Sequence, residues 1–229
     1  MKFAPFSFRS LTIAAAMLAA GTSANALTIP FNIFTGTSVQ AFTPTVLAAF
    51  KAVYVDVIPL GNATAVPDVK GAYILPITSI SINSKLKISK GDAKGSALEL
   101  SRTYYDDEDV PHFGGVILAN FTINYETKQV LADTTIIGEA TTAKQAPLYN
   151  FHVATPLGLK YKFPLTVTGH EVLDDLRLTQ QAKDAMTSSL MLQVYETPTL
   201  RNDFGTLTQD ISTKLRAKPV STKLYTPHF

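Results

Sequence analysis

The clearest pattern in the chain is an alternation of apolar and polar residues over residues 115–125. One side of this segment carries Ile117, Ala119, Phe121, Ile123 and Tyr125. A period of two is typical of a strand that buries one of its faces. Turn-forming residues at 124–128 and a second run rich in β-branched residues at 130–137 follow. We therefore predict a β-hairpin over this part of the chain.

Two other segments have the spacing and the start signals of helices. Thr43 precedes Pro44, which suits a threonine cap followed by a proline in the first helical position. A second helix is predicted to begin at Thr179, with small and apolar residues on one face. Alternating apolar residues follow each helix, so we predict a strand over 53–57 and another over 190–194.

The remaining strand signals are spread over the whole chain. They fall at residues 27–34, 72–82, 86–89, 97–103, 148–153, 157–167 and 205–215. A turn is predicted at 90–92 and a polar loop at 138–145, because both segments are rich in turn-forming or polar residues. Many strands with only two short helices predict a mainly β fold, either a β-sandwich or an open barrel.

The two helices sit in similar surroundings. Residues 28–58 and 161–196 each read as a strand, a helix and a strand, and Thr-Gly precedes the helix in both. This echo predicts an internal duplication that flanks a central β-region. The helix start at residues 178–182 (LTQQA) and the strand–helix layout resemble exported bacterial surface proteins of the heme-binding HtaA type. The resemblance implies an exported β-rich domain and carries no motif that would assign heme binding.

The first 26 residues have the form of a secretory signal peptide. Lys2 and Arg9 precede a short apolar run at 11–20, and Ala24 and Ala26 provide the small residues of a cleavage site. We predict a signal peptide at 1–26 and one exported domain at 27–229, located in the periplasm or outside the cell. The chain has no cysteine, so neither disulfides nor a lipidated cysteine are expected.

The charge balance excludes some classes of partner. Removal of Lys2 and Arg9 leaves 18 basic and 18 acidic residues, and no long basic block occurs. We therefore expect no nucleic-acid partner. No apolar segment of the mature chain reaches the roughly 18 residues of a membrane helix, so we expect no membrane anchor.

An acidic segment offers a candidate metal site. Asp106, Asp107, Asp109 and His112 lie between two predicted strands, and two tyrosines precede them. Ca²⁺ takes about six to eight oxygen ligands and accepts flexible loops, so calcium is the ion we expect if a metal binds. The spacing does not match an EF-hand loop, and a solvated acidic turn is the alternative interpretation.

A second candidate is the segment that begins at His170. His170, Glu171 and Asp174 have the spacing of the H-E-x-x-H zinc motif, with an aspartate in the last position. On a helix, His170 and Asp174 would share a face, and Glu171 would be available as a general base. This pattern supports a secreted hydrolase as one hypothesis, although the sequence names no third ligand.

The sequence favours an exported, non-enzymatic structural, surface or matrix-type binding protein of unknown ligand. Long alternating strands and a mature net charge of zero also suggest self-association or a cell-surface partner. The alternatives are a periplasmic or secreted protein that binds a metal or small ligand through the acidic loop, and a hydrolase that acts through His170.

Overall fold

The structure, a computed structural model, describes residues 27–84, 87–106, 108–163 and 166–228; the predicted signal peptide at 1–26 lies outside these ranges. Two short helices, α1 (Pro44–Ala52) and α2 (Gln180–Ser189), and a 3₁₀ helix (Thr197–Arg201) accompany the strands. The strands are β1 (Leu27–Pro30), β2 (Phe34–Ala41), β3 (Val55–Gly61), β4 (Thr64–Ala65), β5 (Ala72–Pro76), β6 (Ser79–Ile82), β7 (Ile88–Tyr105), β8 (Pro111–Asn124), β9 (Gln129–Ile136), β10 (Thr142–Lys162), β11 (Thr166–Leu178) and β12 (Thr206–Leu215). The predicted mainly β class with two short helices is confirmed.

All twelve strands belong to one antiparallel sheet that curls into a half-barrel. The order is β1-β6-β7-β8-β9-β10-β11-β12-β2-β5-β4, and β3 pairs with β7 beside β6. The curl brings β3 and β5 together from the two sides of the sheet. A hydrogen bond joins them, which Tyr73 Oη donates to Val57 O at 3.1 Å. The predicted hairpin is the pair β8–β9, with Asn124 opposite Gln129.

Apolar side chains fill the inside of the half-barrel, and the two helices close one of its ends. Val46 and Phe50 of α1 and Met186 of α2 are buried in the main core. Phe42 and Phe204 meet Phe50 edge to face, with ring centroids 5.6 and 6.0 Å from it. Such aromatic contacts are favourable beyond the area that they bury. We call this side of the molecule the helix-capped end.

Both helices begin where the sequence predicts and use the same cap. The hydroxyls of Thr43 and Thr179 each accept a hydrogen bond at 3.2 Å, from the backbone N–H of Val46 and Ala182 respectively. Each hydroxyl also donates to a backbone carbonyl of a distant segment, so the caps fix α1 to the segment before β12 and α2 to β10. No helix in the described ranges is long and apolar enough to cross a membrane.

Some predicted breaks and strands are wrong. The turn predicted at 90–92 does not exist, because β7 continues through it and absorbs the local irregularity as a bulge between Ala93 and Ala97. Gly95, with φ +77°, permits this bulge. The strand predicted at 72–82 is two strands, and the predicted loop at 138–145 already contains the start of β10.

The strand predicted at 190–194 is also wrong. Residues 190–196 form turns after α2, in which Leu190 and Leu192 are buried while Val194 is 89% exposed. The alternation there reflects a turn packed against the core rather than a pleated strand. The second strand–helix–strand unit therefore lacks its last strand, and the duplication of 28–58 and 161–196 stays a prediction.

No helix of the described ranges lies over the other end of the half-barrel. A smaller apolar cluster of Phe31, Ile77 and Ile80 lies there, with Ile88 and Ile211 packed against it. Next to this cluster, the last residues of β10 pair with the first residues of β11, from Gly158 opposite His170 to Lys162 opposite Thr166. We call residues 158–163 and 166–170 the ribbon, and this side of the molecule the open end.

Candidate binding cleft

A wide cleft lies at the helix-capped end, where the last residues of β7 meet the segments that follow α1 and α2. Its volume is about 890 Å³, and four tyrosines line it. Tyr54 is 73% exposed, Tyr105 is 65% exposed and Tyr195 is 80% exposed, whereas Tyr104 is half-buried. Several large aromatic side chains that are left in solvent next to one another are typical of an interaction site.

A buried ion pair forms the floor of this tyrosine cleft. Arg102 Nη1 and Nη2 donate to the two carboxylate oxygens of Glu196 at 2.9 and 2.8 Å. Arg102 Nη1 also lies 3.3 Å from the carbonyl oxygens of Leu190 and Met191, and Glu196 accepts a further hydrogen bond from Gln193 N at 2.7 Å. Both side chains are almost completely buried. The pair ties the turn after α2, which carries Glu196, to the end of β7, which carries Arg102.

Stacked rings continue this arrangement along one wall. The Arg102 guanidinium lies 5.2 Å from the centre of the Tyr104 ring. Tyr104 stacks on His112, its neighbour across the strand pair, with centroids 5.0 Å apart and an interplanar angle of 18°. His112 Nε2 in turn lies 2.8 Å from Asp106 Oδ2. The wall is therefore held by contacts along its whole length, from Glu196 to Asp106.

Tyr54 reaches the cleft through an unusual backbone conformation. It follows α1 with φ +57°, in the left-handed region that bulky side chains rarely adopt. Its backbone N–H donates to Lys51 O at 3.3 Å, which completes the end of the helix. Such outliers concentrate at functional sites, because there the position of the side chain matters more than the local strain.

The acidic loop predicted as a metal site forms part of the cleft rim. Asp106 Oδ1 accepts hydrogen bonds from Glu108 N and Val110 N, and Asp106 Oδ2 is hydrogen-bonded to His112 Nε2. The hydrogen bond with His112 is the largest of the contacts that lower the pKa of Asp106 below its ordinary value. Asp109 is exposed, with φ +58°. Asp107 lies outside the described residues.

This geometry does not assemble a metal centre among the described residues, where no three histidine, aspartate or glutamate side chains are grouped to hold an ion. The oxygens of Asp106 already accept hydrogen bonds from the loop itself. Calcium binding through Asp106, Asp107, Asp109 and His112 stays a prediction, and an ion would compete with these hydrogen bonds.

The structure separates the residues of the candidate zinc motif. His170, Glu171 and Asp174 lie on β11, so the helical spacing assumed for them is wrong. His170 Nδ1 pairs with Asp210 at 2.8 Å, and Asp174 pairs with His152 at 2.9 Å. The His170–Asp210 pair borders an open surface groove of about 340 Å³. A hydrolase that acts through His170 stays a prediction.

Glu171 points the other way, into the half-barrel. It is 4% exposed and accepts a hydrogen bond from Tyr125 Oη at 2.5 Å. Burial raises the pKa of this carboxyl above its ordinary value, while Tyr125 and the backbone N–H of Leu157 partly oppose the change. Gln209 lies beside Glu171 on the next strand, and its buried Nε2 has no hydrogen-bond partner in the described part of the chain.

The interior of the half-barrel is too full to hold an organic ligand. The cavities that Gln209 and Glu171 border have volumes of about 20 Å³ each. Such a volume accepts about one water molecule. The tyrosine cleft is therefore a better candidate for binding than the inside of the sheet.

Comparisons with protein-family models, with curated proteins and with solved structures find no match. The HtaA-type resemblance therefore stays a prediction, and the case for a function rests on the cleft itself.

Sequence reasoning found only one part of this site. It singled out Tyr104, Tyr105, Asp106 and His112, which follow one another on a single hairpin. Tyr54, Arg102, Tyr195 and Glu196 come from other segments, and the turn that carries the last two was interpreted as a strand. The available signal was the adjacent apolar residues Val194 and Tyr195, which break the alternation over 190–194, because successive residues of a strand point to opposite faces.

Proposed function

We propose that this chain is an exported, non-enzymatic binding protein of the cell envelope or cell surface, and that it engages its partner through the tyrosine cleft. The observation that carries the proposal is the set of exposed rings of Tyr54, Tyr105 and Tyr195 around one cleft. The export part rests on the signal-like residues 1–26.

The side chains of the cleft suit binding better than catalysis. Tyrosine combines a flat apolar face with a hydroxyl at its tip, and it is enriched in protein interfaces. Arg102 and Glu196 neutralise each other beneath the rings, so neither is left as a free acid or base. The stacked and hydrogen-bonded wall already holds Tyr104 in place, which lowers the entropy lost when a partner binds.

The proposal is tested with the purified 27–229 chain and a cleft variant, Tyr54→Ala/Tyr105→Ala/Tyr195→Ala. Both are assayed for co-sedimentation with insoluble peptidoglycan and with lipopolysaccharide vesicles, and for self-association by sedimentation velocity. We expect the unmodified chain to bind in at least one assay and the cleft variant to lose that binding. A variant with two exposed apolar residues replaced elsewhere, Val69→Ser/Leu224→Ser, is the matched control and keeps it.

No binding in any assay, or equal binding by the cleft variant, contradicts the proposal. Thermal unfolding of each variant shows whether the substituted chain is still folded. Because all three tyrosines are mostly exposed, we expect their replacement to leave the melting temperature nearly unchanged.

A further inference from the structure

The ribbon at the open end carries a second exposed apolar surface. Leu159 is 62% exposed, Tyr161 is 65% exposed and Phe163 is 85% exposed. Leu159 and Tyr161 alternate with Lys160 and Lys162 along β10, so these two apolar residues lie on one face of the ribbon and the lysines on the other; Phe163 follows the end of the strand. A pair of strands that leaves several large apolar side chains in solvent is typical of an interaction element.

The ribbon and the tyrosine cleft lie at opposite ends of the sheet. The 18 residues of β7 connect the two ends, with Ile88 at the open end and Tyr105 in the cleft. Leu157, which precedes the ribbon, borders the same small cavity as Ile88. A strand of 18 residues is roughly 55 to 60 Å long when straight, and although the bulge and the curl of the sheet shorten this distance, its two ends lie well apart.

The two surfaces carry opposite charge. Lys160 and Lys162 are exposed on the ribbon, and the exposed Lys214 lies on the neighbouring strand beside it. The exposed Asp210 pairs with His170 at the base of the ribbon, so the lysines are in excess there. Asp106 lines the cleft, and Glu108 and Asp109, both exposed, belong to the same acidic loop beside it.

Two charged side chains belong to, or adjoin, the residues that line the cleft. Asp106 is a partly exposed carboxylate of the loop, and Lys51, which precedes the cleft residue Ala52 at the end of α1, is an exposed cation. Arg102 adds no net positive charge to the cleft, because Glu196 neutralises it. The acidic rim therefore matches the basic ribbon, and such complementarity favours their encounter.

We propose that the ribbon of one copy of this chain docks into the tyrosine cleft of a second copy, head to tail. Leu159 and Phe163 are the apolar anchors that enter the cleft, and the long side chains of the lysines on the opposite face reach the acidic loop beside it. The contact joins two different surfaces, so it leaves a free ribbon at one end of each dimer and a free cleft at the other. Repetition produces rings or open filaments. This inference rests on the proposed function, because it names the partner of the cleft.

A lipid surface is the other occupant that the ribbon alone would fit, because aromatic residues and lysines suit a membrane interface. A lipid surface would leave the tyrosine cleft and its acidic rim without a role. A second copy accounts for both surfaces and for their opposite charges, and it is the occupant that the structure favours.

The test uses two variants of the 27–229 chain that each disable one surface. The ribbon variant is Leu159→Ser/Phe163→Ser, and the cleft variant is Tyr54→Ala/Tyr105→Ala/Tyr195→Ala. We expect sedimentation velocity to show concentration-dependent oligomers for the unmodified chain and for the control Val69→Ser/Leu224→Ser. Each surface variant alone is expected to weaken association by about tenfold or more, because loss of a buried anchor at an interface has an effect of this size.

Mixing the two variants decides between this and other modes of association. The intact cleft of the ribbon variant can accept the intact ribbon of the cleft variant, and the resulting pair has no free functional surface. We therefore expect a one-to-one complex that does not grow. If each variant alone is monomeric and the mixture also stays monomeric, the head-to-tail contact is wrong.

Two further outcomes separate this inference from the proposed function. An unmodified chain that stays monomeric while it binds peptidoglycan or lipopolysaccharide through the cleft would overturn the inference and leave the proposed function standing. Binding to phosphatidylglycerol vesicles that the ribbon variant loses, by a chain that remains monomeric, would assign the ribbon to lipid and also overturn it. Unchanged melting temperatures confirm that the variants are folded.

Discussion

Two buried glutamates show how differently the two ends of this half-barrel are built. At the helix-capped end, Glu196 forms an ion pair with Arg102, and this pair joins the turn after α2 to the sheet. Towards the open end, the described contacts of Glu171 are the hydroxyl of Tyr125 and the backbone N–H of Leu157. One carboxylate is buried with a cation, and the other is buried with neutral donors alone.

Charge fixes the arrangement of the chain at one end of the half-barrel and not at the other. The Arg102–Glu196 pair organises three segments around the tyrosine cleft, which suits a rigid receptor. The open end has no equivalent pair among the described residues, and its ribbon has exposed apolar side chains. We infer that the helix-capped end is a rigid binding site and that the ribbon of the open end is the element that binds to it.

Breaking the Arg102–Glu196 pair is expected to have the largest effect. Glu196→Ala leaves the buried guanidinium without its counter-charge, so the free energy of unfolding should fall by about 3 to 5 kcal/mol. Urea denaturation measures this change. The double variant Arg102→Met/Glu196→Leu removes both charges, and we expect it to recover most of the lost stability.

The exposed pair of His170 and Asp210 is the matched control. Both side chains are more than half exposed, so Asp210→Ala should lower the free energy of unfolding by less than about 1 kcal/mol. Similar losses for Glu196→Ala and Asp210→Ala would mean that the cleft floor does not depend on its buried pair.

Replacing Glu171 tests the open side of the comparison through pH. Because burial raises the pKa of Glu171 above its ordinary 4.5, the folded chain holds a proton in a pH range where the unfolded chain has lost it. The free energy of unfolding therefore decreases as pH rises through this range. The side chain of Glu171→Gln cannot ionise. We therefore expect the free energy of unfolding of the variant to rise relative to that of the unmodified chain as the pH increases from 4 to 8.

The measurement is urea denaturation of both chains at several pH values within that range. The two chains are compared by the difference between their free energies of unfolding. Asp106 has a lowered pKa and contributes a pH dependence of the opposite sign, and this contribution cancels because both chains contain it. A constant difference across the range would show that Glu171 is not held in an environment that disfavours its charge.

The smallest effect is expected from calcium. Both oxygens of Asp106 already accept hydrogen bonds within the acidic loop, so added Ca²⁺ should not measurably change the melting temperature relative to EDTA. Binding to the folded state alone must raise stability. A clear rise with Ca²⁺ that Asp109→Ala abolishes would establish the calcium site that the sequence predicts.

Local patterns predicted much of this fold. The β8–β9 hairpin and the threonine caps of both helices could be predicted because turn residues, alternation and helix starts act over a few neighbouring residues. The bulge at Gly95 and the turns at 190–196 could not, because Gly-rich and alternating apolar segments also fit other structures. Tertiary packing decides between them.

The candidate site was less predictable than the fold, for a related reason. Asp106 and His112 are close in sequence, and both were singled out. The partnership of Arg102 with Glu196 spans 94 positions, and that of His170 with Asp210 spans 40. A single sequence contains no signal for such pairs, because they depend on how the sheet curls and on which face each strand turns inward.

The most direct test of head-to-tail docking is a cross-link between the ribbon of one copy and the cleft of another. The chain has no cysteine, so single cysteines can be placed at will. Lys162→Cys and Gln193→Cys lie beside the proposed contact without replacing its anchors. Mixed copies treated with a short bis-maleimide should form cross-linked heterodimers, while Lys162→Cys mixed with Leu224→Cys should form far fewer. Equal yields from both mixtures would contradict head-to-tail docking.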